Sequence, residues 1–137
     1  MRGAYFSKRH FLFDLDGTLV DSTAAHARAF VDALTPSRPA LADSFEYAPF
    51  AGRPTREVFI ELGLQDEAEL TALVRRKQQL YRDALDRGDV EVFAGTTVLL
   101  EQLIKRGARL FLVTGASRVS TERVLELTKL TNFFEGV

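Results

Sequence analysis

Three aspartates lie within eight positions of one short stretch, HFLFDLDGTLVDS at residues 10–22, directly after an apolar run. They are Asp14, Asp16 and Asp21. Carboxylates this close repel one another, and a divalent cation bound by Asp14 would offset that repulsion. Magnesium favours oxygen ligands and phosphate-bearing substrates. An aspartate can also attack phosphorus as a nucleophile, and Asp16, two residues further on, is near enough to transfer a proton.

The same stretch has a simpler interpretation as a turn. Asp-Gly after a strand is a strong hairpin signal, but the following DSTAAHARAF favours a helix over a returning strand. A calcium-binding EF-hand loop needs its glycine at about position 6, whereas Gly17 is the fourth residue counted from Asp14. The nucleotide-binding motifs GxxxxGK[ST] and GxGxxG are absent. Gly17 permits a close backbone approach, and nearby N–H groups can hold an anion.

A second apolar run ends in a hydroxyl and a glycine, in LFLVTGAS at residues 110–117. Thr114 at the end of a strand, followed by Gly115 and a helix, can bind a phosphate. Taken alone, the segment is more typical of a strand-to-helix loop with a helix N-cap. A GxSxG serine nucleophile is excluded because Val119 replaces the final glycine. Since ligands of parallel sheets bind beyond the strand ends, the two constellations are expected to meet.

The order of elements predicts an α/β fold. Strands are predicted at HFLF, ARLFLV and FFEGV, and helices are predicted at residues 22–34, 55–62, 66–87, 97–106 and 119–129. Residues 41–54 are expected to form a loop. Because strands and helices alternate near both ends, we expect a Rossmann-like parallel sheet. The helical stretch 21–91 is then an insertion after the first strand.

Composition excludes several classes of partner. Eighteen basic and nineteen acidic residues give a net charge of −1, without a basic patch that would favour nucleic acid or an anionic membrane surface. No apolar run approaches the length of a membrane span, and MRGAYFSKRH lacks a signal-peptide core. Cysteine is absent, which excludes disulfides and thiolate metal sites and fits a cytoplasmic protein. We therefore expect a cytoplasmic protein with no nucleic-acid or membrane partner.

Four segments resemble one known family. FDLDGTLVDS resembles the first motif of haloacid dehalogenase-like (HAD) hydrolases, in their phosphoglycolate phosphatase-like branch, and LFLVTGAS resembles the second motif. GRPTREVFIELG resembles a stretch of the branch's cap domain, and VFAGTTVLLEQLIKRGARL resembles the return to the core, with Ala94 where proline is usual. The resemblance implies a Rossmann-like α/β core at residues 1–20 and 92–137 with an inserted α-helical cap at residues 21–91.

The resemblance also implies an activity and a set of roles. The chain would be a magnesium-dependent phosphatase of a small phosphorylated metabolite, acting through an aspartyl-phosphate. Asp14 would be the nucleophile and a Mg²⁺ ligand. Asp16 would be the general acid/base and would offer its backbone carbonyl to the metal. Thr114 would bind the phosphoryl group, helped by Gly115 and Gly17.

Other residues refine this expectation. Dehalogenases have a tyrosine at the position of Asp16 and phosphomutases usually have a valine at that of Thr18, so the pair favours a phosphatase. Arg53 in the cap loop is a candidate substrate contact, although a solvated surface arginine is an equal alternative. We expect His26 to lie on a helix surface and Asp21 to fix a loop or a helix N-terminus.

Two further family motifs, a lysine and an acidic pair, would follow the segment that ends at Val137. We therefore expect the chain to be a fragment of a longer protein. Without the fourth family strand, the first strand would be an exposed apolar edge, which predicts a possible homodimer. The alternative function is a catalytically incomplete HAD-like module with a binding or self-association role.

Overall fold

A computed structural model describes residues 9–137 of the chain. The strands are β1 (His10–Phe13), β2 (Val20–Asp21), β3 (Glu91–Val92), β4 (Arg109–Leu112) and β5 (Phe134–Gly136). The α-helices are α1 (Thr23–Leu34), α2 (Pro39–Ser44), α3 (Thr55–Glu61), α4 (Glu67–Asp86), α5 (Thr96–Lys105) and α6 (Arg118–Leu127), and 3₁₀ turns occur at Ala48–Phe50 and Thr131–Phe133. No helix in this part of the chain has the length and apolar character of a membrane span.

The main sheet is parallel and has the order β1-β4-β5. His10 pairs with Arg109, and Phe13 pairs with Leu112 at the other end of the two strands. Parallel neighbours need crossover connections, and helices supply both of them here. The predicted α/β fold with a parallel sheet is therefore confirmed. Because Phe13 lies opposite Leu112, the loops after β1 and β4 leave the sheet at the same edge.

A small antiparallel pair joins the two ends of the helical segment, which we define as residues 21–91. Val20 pairs with Val92, and Asp21 pairs with Glu91. The Thr96 hydroxyl, which is buried, donates a 3.0 Å hydrogen bond to the carbonyl oxygen of Leu19 and so fixes the same junction. The division into a core and a cap at these positions stays a prediction, and residues 1–8 of the proposed core lie outside the described residues.

Two hydrophobic clusters stabilise the fold, and α1 and α4 contribute to both. On α1, Ala25 and Ala29 pack with the sheet cluster, while Phe30 belongs to the cluster inside the helical segment. On α4, Leu70 packs in the helical cluster, while Tyr81 packs with the sheet. These two helices therefore carry side chains from the helical segment to the edge of the sheet.

The expected loop at residues 41–54 is wrong in part. Helix α2 covers Pro39–Ser44, and a 3₁₀ turn covers Ala48–Phe50. Pro39 begins α2 rather than ending the preceding helix, because a proline in the first helical turn loses no hydrogen bond. Burial of Ala42 in the helical cluster then stabilises this short helix.

Candidate active site

A cleft of about 200 Å³ lies where the sheet edge meets the helical segment. Asp14 and Asp16 line it from the loop after β1, and Thr114 and Gly115 line it from the loop after β4. Arg53 lines it from the loop before α3. The structure thus brings together five of the six residues predicted for the site, although they come from three separate parts of the chain.

Gly17, the sixth predicted residue, shapes the loop after β1. It has a φ of 75°, which favours glycine, and its N–H donates a 2.9 Å hydrogen bond to the carbonyl of Val20. Gly17 is not among the residues that line the cleft. Its role in phosphate binding stays a prediction, and its observed role is to turn the chain from Asp16 into β2.

The loop after β4 is ordered by its own hydroxyl groups. The Thr114 hydroxyl oxygen accepts a 3.1 Å hydrogen bond from the N–H of Ala116. The Ser117 side chain caps α6 by accepting a hydrogen bond from the N–H of Ser120. These bonds hold the Thr114 hydroxyl at the carboxyl edge of the sheet, on the cleft that Asp14 also lines.

His26 is buried in the site, so the expectation of a surface histidine is wrong. Only 7% of the residue is exposed, and its Nε2 lies 3.3 Å from Oδ1 of Asp16. The hydroxyl of Ser22 donates a 2.5 Å hydrogen bond to the same carboxylate oxygen. The residue before α1 and the first turn of the helix therefore both hold the Asp16 side chain.

Lys77 completes a chain of polar groups that begins at Asp16. Its Nζ lies 3.0 Å from Nδ1 of His26, and the residue is 5% exposed. A lysine ammonium group can only donate hydrogen bonds, so Nδ1 must accept and the proton of a neutral His26 must be on Nε2. That N–H then points at the Asp16 carboxylate. The order of donation is Lys77 to His26 to Asp16.

Burial and neighbouring charges set the pKa values of Asp16, His26 and Lys77. Burial favours the neutral form of Asp16, but the hydrogen bonds from His26 and Ser22 and the charge of Lys77 outweigh it and lower the pKa of Asp16. Burial lowers the pKa of His26 and outweighs the hydrogen bond to Asp16, which raises it, and the charge of Lys77 lowers this pKa further. Burial also lowers the pKa of Lys77 to about 8, although the charge of Asp16 opposes that shift. At neutral pH Lys77 is therefore a cation, His26 is a neutral imidazole and Asp16 is a carboxylate.

Aromatic rings surround the His26–Lys77 pair. The ring of Tyr81 stacks on His26 with centroids 3.9 Å apart, and the ring of Tyr47 stacks on it at 5.9 Å. The Lys77 ammonium lies 4.7 Å from the ring centroid of Phe30 and 5.2 Å from that of Tyr81. Ring faces attract cations, and this compensates in part for the water that Lys77 has lost.

The described residues supply only part of a metal site. Within residues 9–137, no three histidine, aspartate, glutamate or cysteine side chains converge as metal ligands. The carboxylates that line the cleft are Asp14 and Asp16, and Asp16 already accepts hydrogen bonds from Ser22 and His26. Magnesium is commonly held by one or two carboxylates together with waters and substrate phosphate. The Asp14 side chain and the Asp16 backbone carbonyl fit such an incomplete ligand set.

The structure therefore combines a parallel α/β sheet with an aspartate pair after one strand and a hydroxyl-glycine turn after the neighbouring strand, both on one cleft. The sequence model of haloacid dehalogenase-like hydrolases matches residues 11–137. The chain belongs to this family, which confirms the resemblance seen in its motifs.

The relatives include phosphatases and pyrophosphatases. Pyrophosphatase PpaX from Bacillus cereus (strain Q1) is 29% identical over 126 residues, which cover 92% of this chain and 56% of that protein. A predicted phosphatase from Clostridium acetobutylicum is 27% identical with a TM-score of 0.76, over 94% of this chain and 59% of its own.

CbbY from Rhodobacter sphaeroides, solved in complex with phosphate, is 21% identical with a TM-score of 0.74 over 94% of this chain and 62% of its own. At that identity the likeness supports the fold alone. The chain spans little more than half the length of these relatives.

Proposed function

We propose that this chain carries the nucleophile of a magnesium-dependent phosphatase that acts on a small phosphorylated metabolite in the cytoplasm. The observation that carries the proposal is the convergence of Asp14, Asp16 and Thr114 on one cleft. Relatives named as phosphatases and pyrophosphatases support the same reaction class.

The reaction follows from the roles these three side chains can take. The Thr114 hydroxyl donates a hydrogen bond to a phosphoryl oxygen, and the Asp14 carboxylate attacks the phosphorus. The bond to the leaving oxygen breaks while Asp16 gives that oxygen a proton. In the second half, Asp16 takes a proton from a water that attacks the aspartyl-phosphate, which releases phosphate and restores Asp14.

Asp16 must bind a proton before the first step. In the free site its pKa is lowered, as described above. A dianionic phosphate placed beside it would raise that pKa by repulsion between like charges. Substrate binding would therefore favour the protonated form of Asp16. Transfer of that proton to the leaving group would restore the ionised form.

Magnesium would be held by the Asp14 carboxylate and the Asp16 backbone carbonyl. A bound ion would neutralise charge on the phosphoryl oxygens and on Asp14, which would reduce the repulsion between the nucleophile and an anionic substrate.

Arg53 would contact the part of the substrate outside the phosphoryl site. Its side chain is 38% exposed and forms an ion pair with Glu61. It lies on the side of the cleft formed by the helical segment, so a second anionic group of the substrate could take the place of Glu61. Inorganic pyrophosphate has such a group, which makes it the first substrate to test.

The test is hydrolysis of inorganic pyrophosphate and p-nitrophenyl phosphate by the 137-residue chain, with magnesium and with excess EDTA. We expect magnesium-dependent release of phosphate that Asp14→Asn reduces to background, because the amide is a poor nucleophile. Asp21→Asn is the matched control, since Asp21 is exposed in β2. Equal turnover by Asp14→Asn would refute the aspartyl-phosphate mechanism.

A catalytically incomplete binding module is the second candidate, and the partial ligand set for metal favours it. In that case the same assay would show no turnover, while calorimetry would detect phosphate binding that Thr114→Val weakens. Turnover above background with magnesium would exclude this candidate.

A further inference from the structure

The loop after β4 lies directly against the loop that precedes α3. A Cβ atom at Gly115 would be 2.8 Å from the carbonyl oxygen of Gly52 and 3.8 Å from Cδ of Pro54. Unbonded carbon and oxygen atoms do not approach as closely as the first distance. The obstructing oxygen belongs to the backbone, so it cannot rotate away as a flexible side chain would.

Position 115 therefore needs a glycine because there is no room for a side chain. Gly52 has a φ of 80° and needs glycine for its backbone conformation, whereas the φ of Gly115 lies outside the left-handed region. An alanine at 115 would suffer no backbone strain of its own. Its effect on amide exchange in the neighbouring loop would therefore report the contact between the two loops.

The loop before α3 is tied to the rest of the site. The N–H of Arg53 donates a 3.0 Å hydrogen bond to the carbonyl of Phe50, and Tyr47 lines the same cleft as Gly52 and Arg53. Tyr47 also stacks on His26. A shift of the Gly52 carbonyl would therefore displace the residues on either side of it.

Each glycine in this contact is next to a residue that lines the cleft. Gly52 precedes Arg53, and Gly115 follows Thr114. The approach of the two backbones consequently fixes the spacing between the Arg53 side and the Thr114 side of the cleft.

We propose that Gly115 is a positioning residue, whose missing side chain lets residues 50–54 pack against the Thr114 loop and so sets the position of Arg53 relative to the phosphoryl site. This goes beyond phosphate binding by Gly115 itself. The consequence for substrate rests on the proposed function, whereas the contact between the loops does not.

The first experiment measures amide hydrogen exchange in the full chain with Gly115→Ala. We expect the amides of residues 50–53 to exchange several-fold faster, because the added methyl group separates the loops. Gly136→Ala is the matched control. Gly136 also lacks a left-handed φ, it lies in β5 away from the cleft, and its Cβ would be 3.3 Å from the side chain of Phe111. Unchanged exchange in Gly115→Ala would overturn the proposal.

The second experiment measures hydrolysis of inorganic pyrophosphate by Gly115→Ala, Arg53→Gln and the double variant. A misplacement of about 1 Å can cost on the order of 100-fold in rate, so we expect Gly115→Ala to lower kcat/KM about tenfold or more. If Gly115 acts through Arg53, the double variant will be no worse than Arg53→Gln alone. Additive losses would overturn the role of Gly115 in placing Arg53. If the parent chain hydrolyses nothing, the proposed function fails, and the exchange result still decides whether the loops dock through Gly115.

Discussion

At the scale of single residues, the acid/base candidate of this site is controlled by side chains from the helical segment. Asp16 belongs to the loop after β1, but His26 is on α1 and Lys77 is on α4. The hydrogen bonds run from Lys77 through His26 to the carboxylate. Any change in the placement of the two helices would therefore alter the orientation and charge of Asp16.

Replacing His26 tests this control. His26→Ala removes a donor to Asp16 and separates Lys77 from it, so we expect phosphatase turnover to fall at least about tenfold, since acid–base catalysis supplies about 100- to 10,000-fold. The readout is kcat with pyrophosphate over a range of pH. Since the lost hydrogen bond lowers the pKa of Asp16, the acidic limb of the profile will move to higher pH.

The chain offers a matched control because it has only one other histidine, His10, which is exposed in β1. His10→Ala should leave both kcat and the pH profile unchanged. His26→Gln retains an N–H donor and should recover part of the turnover. A His26→Ala protein with the kcat and pH profile of the parent would contradict the proposed control of Asp16.

Lys77 makes the stability of the chain depend on pH. In the folded protein its pKa is about 8, compared with 10.5 for an ordinary lysine. Below pH 8 Lys77 is protonated in both the folded and the unfolded protein, and the folded protein bears the full cost of burying this charge. Between about pH 8 and 10.5 only the unfolded state keeps the proton, so stability rises with pH. The gain is about 3 kcal/mol.

The measurement is the free energy of unfolding by urea, from pH 7 to pH 10.5, for the parent and Lys77→Met. Other groups titrate in both proteins, so the difference between them isolates Lys77. We expect the parent to gain about 3 kcal/mol relative to the variant across this range. Lys105→Met, at an exposed position on α5, should show the same pH dependence of the free energy of unfolding as the parent. A constant difference between the parent and Lys77→Met would show that Lys77 titrates normally.

At the scale of elements, apolar spacing predicted the longer strands and helices well. Three consecutive apolar residues end both β1 and β4, and α4 has leucines at helical intervals. The same spacing contained the signal that His26 and Lys77 are buried. His26 lies on the α1 face that buries Ala29, Phe30 and Ala33. Lys77 lies on the α4 face that buries Leu73 and Tyr81. A polar residue on a buried face needs a partner.

Other features were beyond a local reading of the sequence. The β2–β3 pair consists of two residues on each side, separated by the whole helical segment, so no local period signals it. The packing of Gly115 against Gly52 depends on the distance between two loops. Pairing of distant segments is decided by tertiary contacts, which the spacing of residues within one segment does not reveal.

The N-cap of α4 is an element whose contribution can be measured directly. The Asp66 side chain accepts a 2.9 Å hydrogen bond from the N–H of Glu69, and it also lies at the positive end of the helix dipole. We expect Asp66→Ala to lower the free energy of unfolding by about 1 kcal/mol. Asp66→Asn keeps a capping oxygen and should cost less. Equal stability of Asp66→Ala and the parent in urea unfolding would show that this cap does not stabilise the chain.

At the scale of the whole molecule, β1 forms an edge of the main sheet in the part of the chain that the structure describes. The carbonyl of Arg9 accepts a hydrogen bond from the N–H of Arg109 in β4, and the carbonyl of Phe13 accepts one from the N–H of Val113, directly after β4. Because hydrogen-bonding direction alternates along a strand, the N–H and carbonyl groups of Leu12 face away from β4. The Leu12 residue is also 72% exposed. An apolar edge with free backbone groups can pair with another strand.

We propose that a second copy of the chain covers this edge, since a two-fold axis would bring two β1 strands together. Leu12→Pro removes an outward N–H without removing a hydrogen bond to β4, so it should block pairing and leave the sheet intact. Analytical ultracentrifugation over a concentration series should show a dimer of the parent whose dissociation constant rises at least tenfold in Leu12→Pro. Leu12→Ala loses the side chain but keeps the N–H, so a smaller change in that variant would assign the association to backbone pairing. A parent chain that is monomeric at every concentration would exclude dimerisation through β1.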